Sequence, residues 1–392
     1  MSAVASEIDR QAMPSTILSR REALPIDLLL VSAVAAVMLL GLVMVASSSI
    51  TIAAEQGHPL KLFWRQFAYA ACATAMILLI SRTPIALWRV LGPWLLLLGA
   101  GLLALVIIPG VGREVNGSMR WLALGPVNIQ PSEFVKIFVV LYLAGYLVRR
   151  NDHVRTRSSG FFKPIALMSL IALLLLAEPD YGAAVVMFAT TLTMLFLGGV
   201  PFISFSIWVL AIVSVFVVMM VAAPYRVERL LAFVNPWADP FGSGFQLTQA
   251  LIAIGRGEWL GVGLGQSVQK LHYLPEAHTD FLFAVLSEEL GLLGAGATIA
   301  LFAFISWRAF QIGRRALSAG QPYAGYLAYG VGLLVGMQAY VNIGVNLGLL
   351  PTKGLTLPLM SYGGSSLVAN AIGIGLLLRV GAEIPVAMRG AS

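Results

Sequence analysis

The chain has 392 residues, 59% of them hydrophobic and only 11% charged, with a mean hydropathy of +0.87. A water-soluble domain carries roughly 25% charged residues to solvate its surface, so this composition requires lipid as the solvent. The net charge of +7 is distributed between apolar runs rather than along a stripe, which is how topology is written and gives no reason to expect a nucleic-acid partner.

A helix needs about 20 apolar residues to cross a bilayer. By that measure the expected fold is an all-α polytopic membrane protein with ten spans, at 26–48, 65–81, 85–108, 131–148, 164–178, 183–200, 203–223, 279–305, 322–348 and 364–381. Residues 1–25 read as a polar cytoplasmic tail that is not a cleavable signal, 26–381 as one membrane domain and 382–392 as a second cytoplasmic tail. Glu178-Pro179-Asp180-Tyr181-Gly182 divides one apolar stretch into the fifth and sixth spans, with Pro and Gly marking a tight hairpin. Cys72, the only cysteine, can form no intramolecular disulfide and reads as a small core hydrophobe. The four histidines show no metal-ligand spacing.

Orientation follows from Arg and Lys. Arg10, Arg20 and Arg21 lie in the N-terminal tail. Arg149, Arg150, Arg155, Arg157 and Lys163 follow span four, and Arg308, Arg314 and Arg315 follow span eight. All three clusters fall on one side of a ten-span topology, which is therefore the cytoplasm. The outer side receives the loop 224–278 between spans seven and eight, rich in Trp, Phe, Leu and Gly. Within it, 245–254 is too short to span and reads as a helix in the interface or re-entering the protein. Gly261-Val262-Gly263-Leu264-Gly265 resembles part of a dinucleotide fingerprint, but no βαβ unit surrounds it, so it reads as a bend.

Three constellations could carry chemistry, and each has a plainer alternative. Leu274-Pro275-Glu276-Ala277-His278-Thr279-Asp280 ends the long loop where span eight begins. Asp280 there is either a helix cap or a functional carboxylate. Asp280 and Glu288 share one helix face, and ionisable residues in a span tend to face a cavity or a partner, so a wet pocket running inward from Asp280 would account for both. Asn116-Gly117-Ser118-Met119-Arg120-Trp121 precedes Gln130-Pro131-Ser132-Glu133-Phe134-Val135-Lys136. Pro131 suits the first helical position, and Glu133 and Lys136, three apart, read as an embedded structural pair. Pro351-Thr352-Lys353 and Ser361-Tyr362-Gly363-Gly364-Ser365-Ser366 open span ten; such a start presents N–H groups to an anion or is merely capped. Lys353, Arg226 and Arg229 would add charge for a phosphate. An acid, cations and an anion-suited helix start on one face fit transfer chemistry on a lipid-linked diphosphate.

The segments 116–136, 225–249, 274–291 and 351–366 closely resemble the SEDS family (shape, elongation, division and sporulation), and the similarity runs from the first span to the end of the chain. Pro236–Gly244, Leu274–Asp280 and Pro351–Pro358 resemble its cell-division branch. The resemblance implies a ten-helix glycosyltransferase that polymerises lipid II, an undecaprenyl-diphosphate-linked disaccharide peptide, at the septum of the bacterial inner membrane. It also implies a class B penicillin-binding protein, FtsI, as partner, and regulators such as the FtsQ-FtsL-FtsB complex. The family's essential aspartate falls on Asp280 and an important lysine on Lys353; Arg226, Glu133 and Lys136 match further motif positions. Glu276, His278, Ser361, Gly363, Gly364, Ser365 and Ser366 are expected to line the substrate site, with Glu133, Lys136 and Glu288 in support. Asp280 is then the expected general base of an inverting displacement, with Lys353, Arg226 or a divalent cation (Mg²⁺ or Mn²⁺) at the leaving diphosphate. A lipid II flippase and a non-catalytic division scaffold are the rival readings.

Overall fold

The structure, a computed structural model, describes residues 26–55, 57–58, 60–115, 118–125, 127–156, 158–221, 233–242, 244–270, 274–351 and 354–384. Helices α1 (Leu28–Glu55), α2 (Lys61–Ser81) and α3 (Ile85–Ile107) lead into a small antiparallel sheet of β1 (Gly112–Val115), β2 (Ser118–Leu124) and β3 (Val127–Ile129). Then come α4 (Pro131–Arg149), the short α5 (Asn151–Thr156), α6 (Ser158–Ala177), α7 (Tyr181–Leu197) and α8 (Phe202–Val221). Beyond a stretch outside the described residues follow α9 (Phe245–Arg256), α10 (Leu282–Ser318), α11 (Pro322–Asn346) and α12 (Gly364–Glu383).

Eight of these helices are long and apolar enough to cross a membrane, and two shorter apolar ones, Tyr181–Leu197 and Phe202–Val215, fall where spans six and seven were expected. The helical membrane class therefore holds, with one small sheet added where a loop was expected. Leu28, Leu29, Trp94, Phe202, Ile203 and Leu210 are exposed apolar side chains, which are stable only against lipid. Cys72 joins them, exposed rather than in the core. At the other extreme, 78% of the spanning window is buried in both α4 and α11. These two helices form the centre of the bundle. Small residues permit their neighbours' close approach: a methyl on Gly330 of α11 would collide with Val140 of α4 and Met194 of α7.

Side-chain bonds sort the helix ends. Asp27, before α1, pairs with Arg308 near the end of α10 at 2.8 Å, and Glu383, ending α12, accepts from the N–H of Ile85 at 3.0 Å. At the opposite end, the N–H of Gln130 before α4 donates to Ser365 Oγ at 3.0 Å. The starts of α4 and α12 thus meet away from Arg308.

Helix α10 is broken. Gly291 adopts φ 65°, ψ −165° within it, a backbone region open only to glycine. The loop after α9 fills the break: the N–H groups of Val262 and Gly263 donate to the carbonyls of Glu288 and Glu289 at 2.9 and 3.1 Å, while those of Leu292 and Leu293 donate to the carbonyls of Glu258 and Trp259 at 2.9 and 3.2 Å. A broken helix exposes such groups on both sides of the gap, and at membrane depth each must find a partner. The glycines at 261 and 263, with φ of 82° and 101°, therefore make the bend expected of them and brace the helix break.

Candidate functional site

The starts of α4, α10 and α12, the small sheet and the 178–182 hairpin enclose a cavity of about 1010 Å³. Asp280 lines it. The residue lies just before α10, whose N-cap is Phe281 with no side-chain cap, so the capping alternative is not what the carboxylate does. Its position is fixed through its backbone: the carbonyl of Asp280 accepts from Asn342 Nδ2 at 2.9 Å and Asn346 Nδ2 at 3.0 Å, both on α11. Asn346 Oδ1 also accepts from the N–H of Ala284 at 3.1 Å. The carboxylate itself is left facing the cavity. Burial pushes its pKa from 3.8 up to about 7, Glu276 pushes in the same direction and Arg120 opposes them. A carboxylate poised near neutrality can accept a proton and still be substantially ionised.

Glu276 and His278 also line the cavity. Glu276, at φ 58°, accepts from Thr279 Oγ1 at 2.6 Å. The His278 ring packs against Tyr362 with centroids 5.4 Å apart. Its Nδ1 is buried without a hydrogen-bond partner, and burial lowers its pKa, so the imidazole is neutral at pH 7. Gly363, Gly364, Ser365 and Ser366 line the same space at a helix start with no side-chain cap. Ser366 Oγ accepts from Thr356 Oγ1 at 2.8 Å.

Other expected site residues lie elsewhere. Ser361 is buried and is not in the cavity wall; its Oγ accepts from the N–H of Leu357 at 2.9 Å, closing the turn ahead of α12. Glu288 does not lie in a wet pocket leading from Asp280. Its carboxylate is fully buried and held by Arg256 Nη1 at 3.1 Å, Ser267 Oγ at 2.5 Å and the Val268 N–H at 3.2 Å. The adjacent Glu289 takes Ser47 Oγ at 2.6 Å and Lys270 Nζ at 3.2 Å. Loop residues 256–270 fold over this part of α10, so a protein network replaces the water that the sequence suggested. Lys353, Arg226 and Arg229 lie outside the described residues. Glu133 and Lys136 form a buried ion pair at 2.9 Å. Lys136 Nζ also donates to Gln338 Oε1 of α11 at 2.9 Å, and Gln338 Nε2 donates to the carbonyl of Thr356 at 3.1 Å. The pair thus connects α4, α11 and a cavity-lining loop.

Sequence reasoning missed the cavity's cations. Arg65, Arg113 and Arg120 all line it. Arg65 stands at the expected start of span two, and Arg120 falls inside a segment singled out for other reasons; a cation at a helix or strand on the outer face was the available signal. Arg120 lies on β2, which pairs antiparallel with β1 and β3. Asp180 was also missed as a tie: its Oδ1 caps α7 through the Ala183 N–H at 3.2 Å, and Oδ2 accepts from Ser132 Oγ of α4 at 2.9 Å. Its neighbour Glu178 has both carboxylate oxygens buried without partners, and burial, aided by Asp180, pushes its pKa to about 8, so it is neutral at pH 7.

Among the described residues, no three His, Cys, Asp or Glu side chains are grouped to hold a metal ion. A hard divalent cation at the leaving diphosphate would therefore draw most of its ligands from water and the substrate phosphates.

The profile of a family of cell cycle proteins, the FtsW, RodA and SpoVE group, matches residues 27–384. The chain belongs to the SEDS family. Curated SEDS relatives include the probable peptidoglycan glycosyltransferases FtsW of Nitrosococcus halophilus, 54% identical over 91% of this chain and 92% of that protein, and of Pseudomonas fluorescens, 54% identical over 94% and 90%. Among solved SEDS structures, a peptidoglycan synthase complex that coordinates polymerization and crosslinking aligns with a TM-score of 0.75, at 31% identity over 91% of this chain and 98% of the solved one. The rod shape determining protein RodA of Thermus thermophilus aligns at 0.67, with 27% identity over 92% and 98%.

Proposed function

We propose that this SEDS protein is a peptidoglycan glycosyltransferase that polymerises lipid II, with Asp280 as general base. The observation that carries the reading is the Asp280 carboxylate, left free in a cation-lined cavity with a pKa near 7. The acceptor sugar hydroxyl would give its proton to Asp280 as its oxygen bonds to the donor's anomeric carbon. The bond from that carbon to the diphosphate breaks, and its electron pair leaves with undecaprenyl diphosphate. The donor linkage is α and the product linkage β, so one inverting displacement suffices. A diphosphate spreads its charge and leaves without an acid, so cations complete the chemistry.

The basic clusters at the ends of α4 and α10, away from Asp280, support a periplasmic cavity with cytoplasmic termini. Likeness to a synthase complex that couples polymerization to crosslinking supports a crosslinking neighbour, a class B penicillin-binding protein of the FtsI kind; a septal site under regulators of the FtsQ-FtsL-FtsB kind rests on the family resemblance alone. The deciding experiment is polymerisation of purified lipid II by the protein with its transpeptidase. Asp280→Asn is expected to abolish polymer formation; full activity in that variant would refute the base. Movement of labelled lipid II across vesicles by the parent protein, without polymer, would favour the flippase reading instead.

A further inference from the structure

Gly354 stands where a side chain would fill the space that the reaction needs. A methyl group there would lie 3.1 Å from Asp280 Oδ2 and 3.9 Å from Arg120 Nη1. Those two atoms are therefore separated by no more than the sum of the distances, about 7 Å. They form no direct ion pair, and both residues, with Gly354 itself, line the cavity.

Both sides of the gap are held in place. Arg120 Nε donates to the carbonyl of Glu178 at 3.1 Å and Nη2 to that of Pro179 at 2.6 Å, which leaves Nη1 as the nitrogen turned toward Gly354. A guanidinium braced through two of its nitrogens loses little further freedom when the third meets an anion. Asp280 is fixed by Asn342 and Asn346. Gly354 cannot retreat either: the carbonyl of its neighbour Leu355 accepts from Asn342 Nδ2 at 2.5 Å, and the Leu355 side chain packs on Gly182 of the hairpin. The carbonyl of Thr356 is held by Gln338. A Cβ at 354 would have to intrude into the cavity, and the backbone there does not otherwise require glycine, since its φ is not in the positive range.

We propose that Gly354 keeps the gap between Asp280 and Arg120 open for the reacting sugar carbon, and that Arg120, through Nη1, is the cation that receives the departing diphosphate. This rests on the assignment of Asp280 as base. In this assignment the two groups serve the two ends of an in-line displacement: the hydroxyl proton moves to Asp280 while the bond electrons move with the diphosphate oxygen toward Arg120.

The test uses the full-length protein with its transpeptidase, read by lipid II polymerisation, by inhibition with undecaprenyl diphosphate and by thermal melting. Gly354→Ala is expected to melt like the parent and to lose ~100-fold in turnover, as for an ångström-scale misplacement of reacting groups. Arg120→Ala is expected to weaken undecaprenyl diphosphate inhibition by ~10–100-fold, the loss of one charged hydrogen bond, with Arg120→Lys in between. Asp280→Asn is expected to lose turnover while its inhibition constant stays parental. Parental turnover in Gly354→Ala overturns the gap. Parental inhibition in Arg120→Ala, with Asp280→Asn inactive, overturns the cation and leaves the base standing. Full turnover in Asp280→Asn overturns the base.

Discussion

Asp280→Asn should make the protein more stable at alkaline pH even as it removes activity. The native carboxylate has its pKa raised from 3.8 to about 7, so the folded state binds the proton more tightly than the unfolded chain does. Between those values the folded state carries more protons, and stability falls as pH rises; above pH 7 the full cost of ionising Asp280 is present, and below 3.8 it is absent. At about 1.36 kcal/mol per pKa unit the cost is at most about 4 kcal/mol. The carboxylate borders a wet cavity, so screening reduces this to about 1–2 kcal/mol. Asparagine, neutral at every pH and close in shape, avoids the cost. Denaturant or thermal unfolding in detergent at pH 5 and pH 8 is the assay. The gap in stability between variant and parent should be about a third to a half of its full size at pH 5 and should widen toward pH 8. Glu178 also titrates in this range, but it is present in both proteins and cancels in the difference. A variant that is no more stable than the parent at pH 8, or a gap that narrows with rising pH, would refute the reasoning.

Three further outcomes follow from the same geometry. Asn346→Ala removes one of the two acceptors of the Ala284 N–H, the Phe281 carbonyl at 3.1 Å remaining, and weakens the hold on the Asp280 carbonyl; about 0.5–1.5 kcal/mol of stability and ~10–100-fold of turnover should be lost, with the acid limb of the pH–rate profile unmoved. Lys136→Met strands a buried carboxylate and should destabilise by about 3–5 kcal/mol, whereas the double variant Glu133→Gln with Lys136→Met should recover much of that, as unfolding curves would report. Gly291→Ala forces a side chain to φ 65° and against the backbone of Trp259 and Gly261; a loss of about 1–3 kcal/mol and easier proteolysis of the 258–270 loop should follow.

Apolar run length predicts most of the helices, because lipid imposes one simple rule on segment length. The hairpin at 178–182 and the short helix α9 were equally legible, since Pro, Gly and a short apolar period mark them locally. Other features depended on long-range contacts that no local pattern encodes. Glu288 was assigned to a wet pocket because its helix face matched that of Asp280; the break at Gly291 and the loop folded over it put Arg256 and Ser267 on that carboxylate instead. The capping role offered to Asp280 fails because the helix begins two residues later, at Leu282. Arg65, Arg113 and Arg120 went unassigned because a cation gains meaning only from what the fold brings opposite it. Asn342 and Asn346 had a usable signal, two amides one turn apart, and one turn beyond Gln338, in a membrane span, which in lipid must have partners.

The hold of Asn342 and Asn346 on Asp280 also sets an order of assembly. The brace between residues 258–263 and 288–293 joins segments close in sequence and can form as soon as α10 is inserted. The two amides arrive on the next helix, and Gly354 and the Ser365-Ser366 wall only after that. During synthesis Asp280 is therefore in the membrane well before anything fixes it. The nascent protein carries its carboxylate through biogenesis without a formed site, and catalytic competence is acquired at the last step of insertion, when α12 closes the cavity.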